Sequence, residues 1–365
     1  MKQEKAKIYS GLKYGLSASG VVYLLLLLFL FMGLGGSKAL VQSLLRLSGK
    51  DYLVVPVYIA IVCLGYYILS LPLNFYQSFI LERQFGLSRQ RVLSWFNDQL
   101  KAGAIFYLIM LILAAAFYYF LKRFTYHWWL AVSLFWIILS VVLAKIAPLV
   151  IIPLFFKSTK ISDSGLRQRI MDLAKKMQIR ILDVFQIDFS KKTLKANAAL
   201  VGWGATRRVL LADTLKDKYA PDEIEVILAH EFAHHKLRHM HKLILINALA
   251  TLVSFYLIFM TGDKFLNLFN LSSLWDIAAL PVVLIYFVIL GIILAPLENF
   301  FSRRFESAAD KLALEASGLK EAFISMMEKL SSQNLADRNP HPLIKIFFFD
   351  HPPIDERIAL ARSFK

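Results

Sequence analysis

Six apolar runs, each long enough to cross a lipid bilayer, constrain this chain more than any other feature. A membrane-spanning helix needs about 20 consecutive apolar residues. The chain is 58% hydrophobic, whereas soluble domains usually hold roughly 45–50% apolar residues. We therefore predict a mainly α, polytopic membrane protein. Its candidate spans cover approximately residues 16–34, 53–75, 103–121, 128–156, 243–260 and 277–301.

The first and fourth runs need separate interpretation. The first is too long for a signal peptide and lacks a clean small-residue cleavage site, so it is read as a retained span. The fourth is overlong and contains Lys145, Pro148 and Pro153. Proline removes a helical hydrogen bond, so we expect this helix to kink or to leave the membrane near its end.

The basic residues indicate one orientation and one kind of environment. The formal net charge is +16. With six spans, the N-terminal tail, the loop after the second span and the segments 157–242 and 302–365 lie on one side, and all are basic. The positive-inside rule makes that side cytoplasmic. In so hydrophobic a chain the charge indicates membrane lipid as a partner, and not nucleic acid. The single cysteine, Cys63, excludes a disulfide within the chain.

The spans divide the chain into four regions. Residues 1–156 hold membrane helices 1–4, with a loop at 35–52, and residues 243–301 hold helices 5–6. Residues 157–242 form a polar, cytoplasmic segment, and residues 302–365 form a C-terminal helical segment.

Local patterns predict a small β-sheet within the first polar segment. The helix "GLRQRIMDLAKKM" follows Ser162 or Ser164 as a candidate N-cap. Three β-like runs come next, "ILDVFQID", "ANAALVGW" and "RRVLLADTL". A helix then begins near Pro221, and the last segment reads as helices that break at "RNPHP" and "DHPP".

The stretch His230-Glu231-Phe232-Ala233-His234 has the pattern HExxH. Residues four apart lie on one helix face, so both histidines can reach one ion. Zinc suits imidazole and carboxylate ligands, and it lowers the pKa of a bound water to about 7. Glu231 can take the proton of that water. The alternative for this five-residue pattern is an ordinary polar helix face.

Three further histidines follow the motif. His241 lies eleven residues after His230, about 16 Å along a continuous helix, which is too far for the same ion. His235 and His239 fall on other faces. We interpret all three as residues of a polar or interfacial helix surface.

A third ligand is expected near residue 306. Glu306 and Asp310 are spaced i, i+4, so one carboxylate can bind the metal while the other orients a ligand histidine. The alternative is a solvated charge cluster with Arg303 and Arg304.

With these residues identified, the sequence resembles the type I CAAX prenyl endopeptidases, integral-membrane zinc metalloproteases of the gluzincin type. The resemblance runs from about Leu71 to Arg362. Six stretches carry it in order: "LPLNFYQSFILERQFGLSRQ", "IPLFFKST", "KKTLKANAALVGWGATRRVLLADTL", "EVILAHEFAHHKLRH", "SRRFESAAD" and "HPPIDERIALA".

The resemblance implies a fold and a set of roles. The fold is a ring of transmembrane helices around a large chamber, closed by a gluzincin-like domain with a small β-sheet. One Zn²⁺ per chain would be bound by His230, His234 and Glu306. Glu231 would be the general base, and Asp310 would lie beside the zinc helix, where we favour a role in orienting a ligand histidine. Asn197 and Ala198 would belong to the strand that pairs with the substrate. His351 and Arg357 would face the oxyanion.

The implied reaction is cleavage of a CAAX-type, prenylated C-terminal peptide. This chain has six spans where eukaryotic members have seven, and it lacks their long charged insertion. That pattern suggests a bacterial or archaeal cell-membrane protein with its active site toward the cytoplasm, or an endoplasmic reticulum protein if the source is eukaryotic. The alternatives are a broad-specificity, HtpX-like quality-control metalloprotease and a non-enzymatic membrane scaffold.

Overall fold

The computed structural model describes residues 2–48 and 51–364. Fifteen α-helices and four strands follow one another along these residues. The helices are α1 Lys2–Gly33, α2 Gly36–Ser48, α3 Val54–Phe75, α4 Leu81–Gln84, α5 Val92–Arg123, α6 Trp128–Ile146, α7 Ile152–Phe155, α8 Ser164–Lys176, α9 Asp213–Lys216, α10 Pro221–Lys236, α11 His239–Asn267, α12 Leu280–Ser317, α13 Lys320–Asn334, α14 Pro342–Phe348 and α15 Ile354–Ser363. The strands are β1 Ser158–Lys160, β2 Val184–Ile187, β3 Ala198–Val201 and β4 Arg208–Ala212.

Six long apolar helical segments confirm the predicted spans. Within the described residues they are Gln3–Gly33, Val54–Gln84, Val92–Arg123, Trp128–Phe155, His239–Asn267 and Ile277–Ser317. Several extend well beyond the apolar runs, because polar residues continue the helix outside the hydrocarbon layer. The last segment includes α12, which continues from the apolar run into the soluble region without a break.

The long helices form a closed ring. In chain order α1, α3, α5, α6, α11 and α12 each pack against the next, and α12 packs back against α1. Buried aromatic residues hold the end of the ring that is remote from the soluble segments, among them Tyr58, Phe117, Trp128 and Phe255. The predicted ring architecture is therefore confirmed.

The loop predicted at 35–52 contains a helix, α2. Its apolar side buries Val41 and Leu44. Ser37 lies at its start, where the Ser37 hydroxyl donates to the carbonyl of Ala278 (2.8 Å) and bonds the Tyr58 hydroxyl (2.7 Å). The run is too short and too polar to read as a span, but it packs across the ring end.

The fourth span bends as expected. A π-helical turn, Ala147–Ile151, separates α6 from α7, and the chain becomes extended at Phe156. Pro148 and Pro153 each remove one backbone donor, and the wider turn accommodates this loss. The chain therefore reaches the soluble region directly after α7.

The four strands form one sheet in the order β1-β2-β4-β3. The pair β2–β4 is parallel, and the pairs β1–β2 and β3–β4 are antiparallel. Three of the strands match the predicted β-like runs. The three-residue β1 was missed because it shows no period-2 pattern of apolar residues. In this order β3 lies at an edge of the sheet.

The soluble core lies between this sheet and the helices α8, α10, α12 and α13. Val184, Val209 and Leu211 point into it from the sheet and are fully buried. The cap of α8 was assigned to the wrong residue. The Asp163 carboxylate, and not Ser162 or Ser164, accepts from the Leu166 N–H (2.9 Å).

Candidate active site

Helix α10 holds the HExxH residues in the centre of the soluble core. Pro221 is its first residue, where a missing N–H costs nothing. The Glu223 carboxylate accepts from the Ala220 N–H (2.8 Å) and caps the first turn. Nearly all of the helix from Ile224 to Ala233 is buried, so His230 is held on a rigid backbone.

His230, His234 and Glu306 converge as predicted. They form a group whose ligand atoms all lie within 4.8 Å of one another. The two Nε2 atoms are 3.0 Å apart. Glu306 places Oε2 3.1 Å from His230 Nε2 and Oε1 3.1 Å from His234 Nε2. The i, i+4 spacing on α10 and the crossing of α12 bring these atoms together.

This donor set fits a metal ion. Two imidazole nitrogens and a carboxylate are ligands that zinc accepts, and atoms bonded tetrahedrally at 2.0–2.1 Å stand about 3.3 Å apart. The separations in the protein are close to that value. Among the described residues the buried Glu306 Oε2 receives no hydrogen bond, so a cation is the partner it fits.

Asp310 lies behind the ligand His230, one turn after Glu306. Its Oδ1 is 2.9 Å from His230 Nδ1. Arg357 donates to both carboxylate oxygens, through Nε to Oδ2 (2.8 Å) and through Nη2 to Oδ1 (2.6 Å). Asp310 is fully buried and Arg357 is almost so. This ion pair lies on the Nδ1 side of the His230 ring, while Nε2 faces His234 and Glu306.

The carboxylates that face α10 favour positive charge at His230. Burial lowers the pKa of His230, but its close contacts with Asp310 and Glu306 outweigh burial and raise that pKa to about 9. Burial raises the pKa of the half-buried Glu231, against the lowering effect of His230 and His234. A raised pKa makes the Glu231 carboxylate a better proton acceptor than an ordinary one.

His351 approaches from the loop before α15. Its Nε2 is 3.4 Å from Glu306 Oε1, and its side chain is 52% exposed. Asp350 Oδ1 lies 2.7 Å from His351 Nδ1. Burial lowers the pKa of His351, but the pairing with Asp350 outweighs burial and raises that pKa.

One histidine assigned to the helix surface is in the site. Arg238 adopts a left-handed conformation (φ 55°) that ends α10, and α11 starts at His239. His239 is 1% exposed, stacks on Phe305, and places Nδ1 3.0 Å from His234 Nδ1. The surface assignment of His239 was therefore wrong. It assumed one continuous helix, whereas a short break turns His239 back onto the ligand.

The other two histidines keep outer positions. His241 is exposed and its ring packs near that of Trp203 (5.4 Å). His235 is half-buried. Neither belongs to the ligand group found among the described residues.

Asn197 and Ala198 lie at the start of the edge strand β3. The Asn197 carbonyl accepts from the Ala212 N–H of β4 (3.0 Å). Hydrogen-bonded and non-bonded residues alternate in an antiparallel pair. The backbone groups of Ala198 and Leu200 therefore point away from β4, toward the open side of the sheet. Strand β3 also packs against α10, which carries the ligand histidines.

Comparison with known proteins agrees with this geometry. Residues 161–365 match the sequence profile described as Peptidase family M48. Residues 2–157 match the one described as CAAX prenyl protease N-terminal, five membrane helices. In this chain that second range contains four of the six long apolar helical segments found in the described residues.

Individual relatives cover most of the chain. This chain is 29% identical over 362 residues to an uncharacterized metalloprotease, YhfN, of Bacillus subtilis. The alignment covers 98% of this chain and 85% of the relative. The chain is 29% identical over 312 residues to CAAX prenyl protease 1 of Saccharomyces cerevisiae, with 80% and 68% covered. A homolog of the latter in Homo sapiens is 24% identical over 341 residues, with 81% and 71% covered.

The fold is also that of a solved structure. The crystal structure of S. mikatae Ste24p superposes with a TM-score of 0.89 at 23% identity, and the match covers 99% of this chain and 89% of that one. At this identity the likeness describes the fold alone. The family profiles, which together span nearly all of the chain, describe more. The chain belongs to peptidase family M48 and is a multi-pass membrane metallopeptidase of the CAAX prenyl protease family.

Proposed function

We propose that this metallopeptidase uses one zinc ion, held by His230, His234 and Glu306, to cleave peptide bonds near the C-terminus of membrane-anchored substrates. The observation that carries the proposal is the converging group of two imidazoles and one carboxylate at the end of a closed ring of membrane helices. Zinc, when bound, supplies the Lewis acidity that lowers the pKa of a coordinated water to about 7.

The side chains around the ligands divide the remaining work. Glu231 takes the proton of the attacking water and passes it to the leaving amine. Asp310 holds His230 through Nδ1, and Arg357 holds Asp310 in turn. His351, half-exposed beside Glu306, donates to the oxyanion of the tetrahedral intermediate. A donor at this position is typically worth about 3–4 kcal/mol.

Arg357 would stabilise the oxyanion while it keeps its hydrogen bonds to Asp310. Its Nε and one Nη2 hydrogen are engaged there, while the Nη2 atom also lies 3.9 Å from Glu306 Oε2. The guanidinium keeps further N–H donors. We infer that Arg357 adds positive charge near the oxyanion, with His351 as the direct donor.

The peptide pairs with the edge strand β3. Backbone groups of Ala198 and Leu200 supply main-chain hydrogen bonds, as in β-strand addition. The Asn197 side chain sits at the end of this row and orients the peptide. Because β3 packs on α10, a peptide on that edge would pass close to the ligand histidines.

For the substrate we propose a prenylated, CAAX-type C-terminus. The support is that several relatives are named CAAX prenyl proteases. A ring of helices also explains how a lipid anchor could remain in the membrane while the bond is hydrolysed in water. The alternative, a quality-control protease of broad specificity, uses the same site and differs only in its substrates.

We propose that the active site faces the cytoplasm. The start of α1, the loop after α4 and the soluble segments share one side of the ring, as Ser10 donates to the Leu335 carbonyl and Ser88 to the Lys192 carbonyl. That side carries most of the basic residues outside the spans, which supports a cytoplasmic placement by the positive-inside rule. The soluble part then comprises residues 157–242 and 302–365, between and after membrane residues 1–156 and 243–301.

The test is cleavage of a farnesylated CAAX peptide and its unprenylated twin by detergent-purified protein. Wild type should release the last three residues of the farnesylated peptide. Glu231→Gln should keep bound zinc and lose at least about 10²-fold in turnover, since a general base contributes that much or more. Glu306→Ala should lose the metal as well.

Each result separates the hypotheses. Equal cleavage of both peptides would replace the CAAX assignment with the quality-control alternative. Wild-type turnover in Glu231→Gln would contradict the mechanism, and the absence of zinc from purified wild type would contradict the metal assignment.

A further inference from the structure

A polar cavity of about 660 Å³ lies inside the ring, away from the ligand residues. It is bounded by α1, by the end of the second span with α4, by the start of α5, and by the loop that leads into β3. The residues that matter for its chemistry are Lys13, Glu82, Asp98, Phe155, Lys192 and Lys195. The mechanism above uses none of them.

Cations exceed anions in this cavity. Lys195 Nζ is 2.9 Å from Glu82 Oε2, and Lys13 Nζ is 3.5 Å from Glu82 Oε1. Lys192 pairs separately with Asp98 (2.6 Å). Glu82 is thus shared by two ammonium groups. Three lysines face two carboxylates, so one positive charge is left for an anion that enters the cavity.

The cluster is built into the fold. Tyr9, which is 3% exposed, donates to Glu82 Oε1 (2.5 Å) and accepts from Lys195 Nζ (2.9 Å). The Glu82 side chain is 13% exposed. Removing charged groups from water costs several kcal/mol per ion, so a partly buried ion cluster is weak evidence for a purely stabilising role. Stability alone therefore does not explain this arrangement.

The loop that carries Lys195 is held in place on both sides. The Leu194 N–H donates to the Leu87 carbonyl (2.8 Å), and the Ala196 N–H donates to Asn334 Oδ1 (3.1 Å). Lys195 is thus fixed three residues before Ala198, the first residue of β3. The cavity and the substrate edge are therefore adjacent along a rigid segment of chain.

A second, apolar cavity of about 180 Å³ lies beside the start of β3. It runs along Asn197–Ala199 of the sheet edge and shares Phe155 and Phe156 with the polar cavity. A peptide on β3 that continues past Asn197 would pass these two rings and reach the lysines.

The direction in which the peptide runs along β3 decides whether its N-terminus or its C-terminus reaches the lysines. Antiparallel pairing is the more stable kind, and β3 already pairs antiparallel with β4. A peptide antiparallel to β3 runs from the Val201 end toward the Ala198 end, so its C-terminal residues leave the edge near Lys195. Three extended residues reach about 10 Å, the same span as the chain from Ala198 back to Lys195.

We propose that Lys13 and Lys195 form a binding site for the free C-terminal carboxylate of the peptide. The site would set the cleavage position by fixing the distance from the carboxylate to the metal centre. It would also favour substrates that end shortly after the scissile bond over internal segments of a protein. This inference rests on the proposed peptidase function and specifies its substrate class.

The test compares two farnesylated peptides that differ only in a C-terminal carboxylate or carboxamide. For wild type we expect KM for the acid to be about tenfold lower than for the amide, as one charge-assisted contact can provide. In Lys13→Gln and in Lys195→Gln the acid should lose this advantage.

Lys7→Gln is the matched control, since Lys7 lies on the same helix, is exposed and carries the same charge. It should keep the preference for the acid. The ratio of acid to amide cleavage is measured within each variant, so a partly misfolded variant, which loses both activities together, does not imitate the expected result. Two variants in different elements guard against one of them failing to fold.

A failure of the carboxylate site can be distinguished from a failure of the proposed peptidase function. If wild type cleaves acid and amide with equal KM, the carboxylate site is wrong while the peptidase assignment stands. The site is also wrong if both lysine variants keep the wild-type preference. If neither peptide is cleaved by wild type, although zinc is bound, the proposed function fails first.

A lipid phosphate has the same recognition chemistry as a carboxylate and could occupy the cavity instead. Vesicles of phosphatidylcholine alone and of phosphatidylcholine with phosphatidylglycerol distinguish the two sources. The preference for the acid peptide should be the same in both. Its loss in the anionic vesicles alone would show that lipid headgroups displace the peptide carboxylate, and would overturn the carboxylate site for an anionic membrane.

Discussion

At the scale of single residues, two buried contacts lie behind the proposed metal ligands. Asp310, held by Arg357, contacts Nδ1 of His230, and His239 contacts Nδ1 of His234. A neutral imidazole that accepts or donates at Nδ1 has its tautomer determined by that partner. Each ligand histidine thus has its own support, a carboxylate for one and a second imidazole for the other.

Replacing His239 by glutamine should weaken metal binding without removing a ligand. Loss of a group that orients a ligand typically costs 10–100-fold in metal affinity or activity. Competition with a chromophoric zinc chelator measures the affinity directly. His241→Gln, two residues away and exposed, is the control and should bind zinc like wild type. Equal affinity in both variants would show that His239 serves only packing against Phe305.

These residues also show how far the sequence predicts the site. Helical spacing predicted that His230 and His234 share one face and that Glu306 and Asp310 share another. The choice of Glu306 as the third candidate ligand came from the family resemblance. His239 was not predictable, since its position depends on a left-handed Arg238, and non-glycine residues rarely adopt that conformation.

At the scale of elements, short polar contacts position the sheet relative to its helices. Asp183, just before β2, accepts from Arg167 of α8 (2.7 Å) and from the Val184 N–H (2.9 Å), and pairs with Lys160 of β1 (3.1 Å). These hydrogen bonds, first of all the one from Arg167, lower the pKa of Asp183 to about 2. One buried carboxylate thus joins three elements.

Asp183→Asn should destabilise the soluble domain in a pH-dependent way. Because folding lowers this pKa, the ionised carboxylate stabilises the protein above its unfolded value of about 3.9, and the contribution is lost as pH falls toward 2. We expect a loss of about 1–2 kcal/mol at pH 7, since two partners are partly exposed. Thermal unfolding at pH 7, 5, 4 and 3 should show the gap closing below pH 4.

Asp172→Asn is the control for this experiment. Asp172 is exposed on α8 and accepts from Gln168 of its own helix. It should leave the melting temperature nearly unchanged at every pH. A gap between Asp183→Asn and wild type that stays constant down to pH 3 would contradict the assigned role of the charge.

The turn between β3 and β4 sets the position of the edge strand β3, where we propose that the peptide pairs. Gly202 has φ +95°, and a Cβ on it would lie 2.7 Å from the Thr206 carbonyl oxygen. Gly202→Ala should therefore shift the end of β3, at a cost of about 1–3 kcal/mol. Peptide KM should rise more than kcat falls. Gly204→Ala, at φ +57° with open space around it, should have a smaller effect on both.

The elements that the sequence failed to predict share a physical reason. Strand β1 is short and helix α2 is amphipathic, and both pack on neighbours: β1 pairs with β2, and α2 contacts α3 and the turn before α12. The pattern of apolar residues was informative for the six long helical segments because it extends over several turns in each of them. It carries little signal over three residues.

At the scale of the whole molecule, the proposed metal site joins two parts of the chain that are distant in sequence and that pack against each other through α10 and α12. His230 and His234 belong to the segment between the fourth and fifth spans, while Glu306 lies where the last span continues into the soluble core. The closed ring and the soluble core therefore meet at α12. A bound ion would couple the two, since it contacts α10 and α12 at once.

Removal of the metal should therefore lower the stability of the entire protein. A ligand present at about 1,000 times its Kd stabilises the native state by about 4 kcal/mol. Dialysis against a chelator should lower the melting temperature of wild type and of Glu231→Gln equally, because both keep His230, His234 and Glu306. Readdition of zinc should restore it. Glu306→Ala should melt at one temperature with or without chelator. A wild-type melting temperature that ignores the chelator while zinc is lost would show that the ring and the core are held together without the ion.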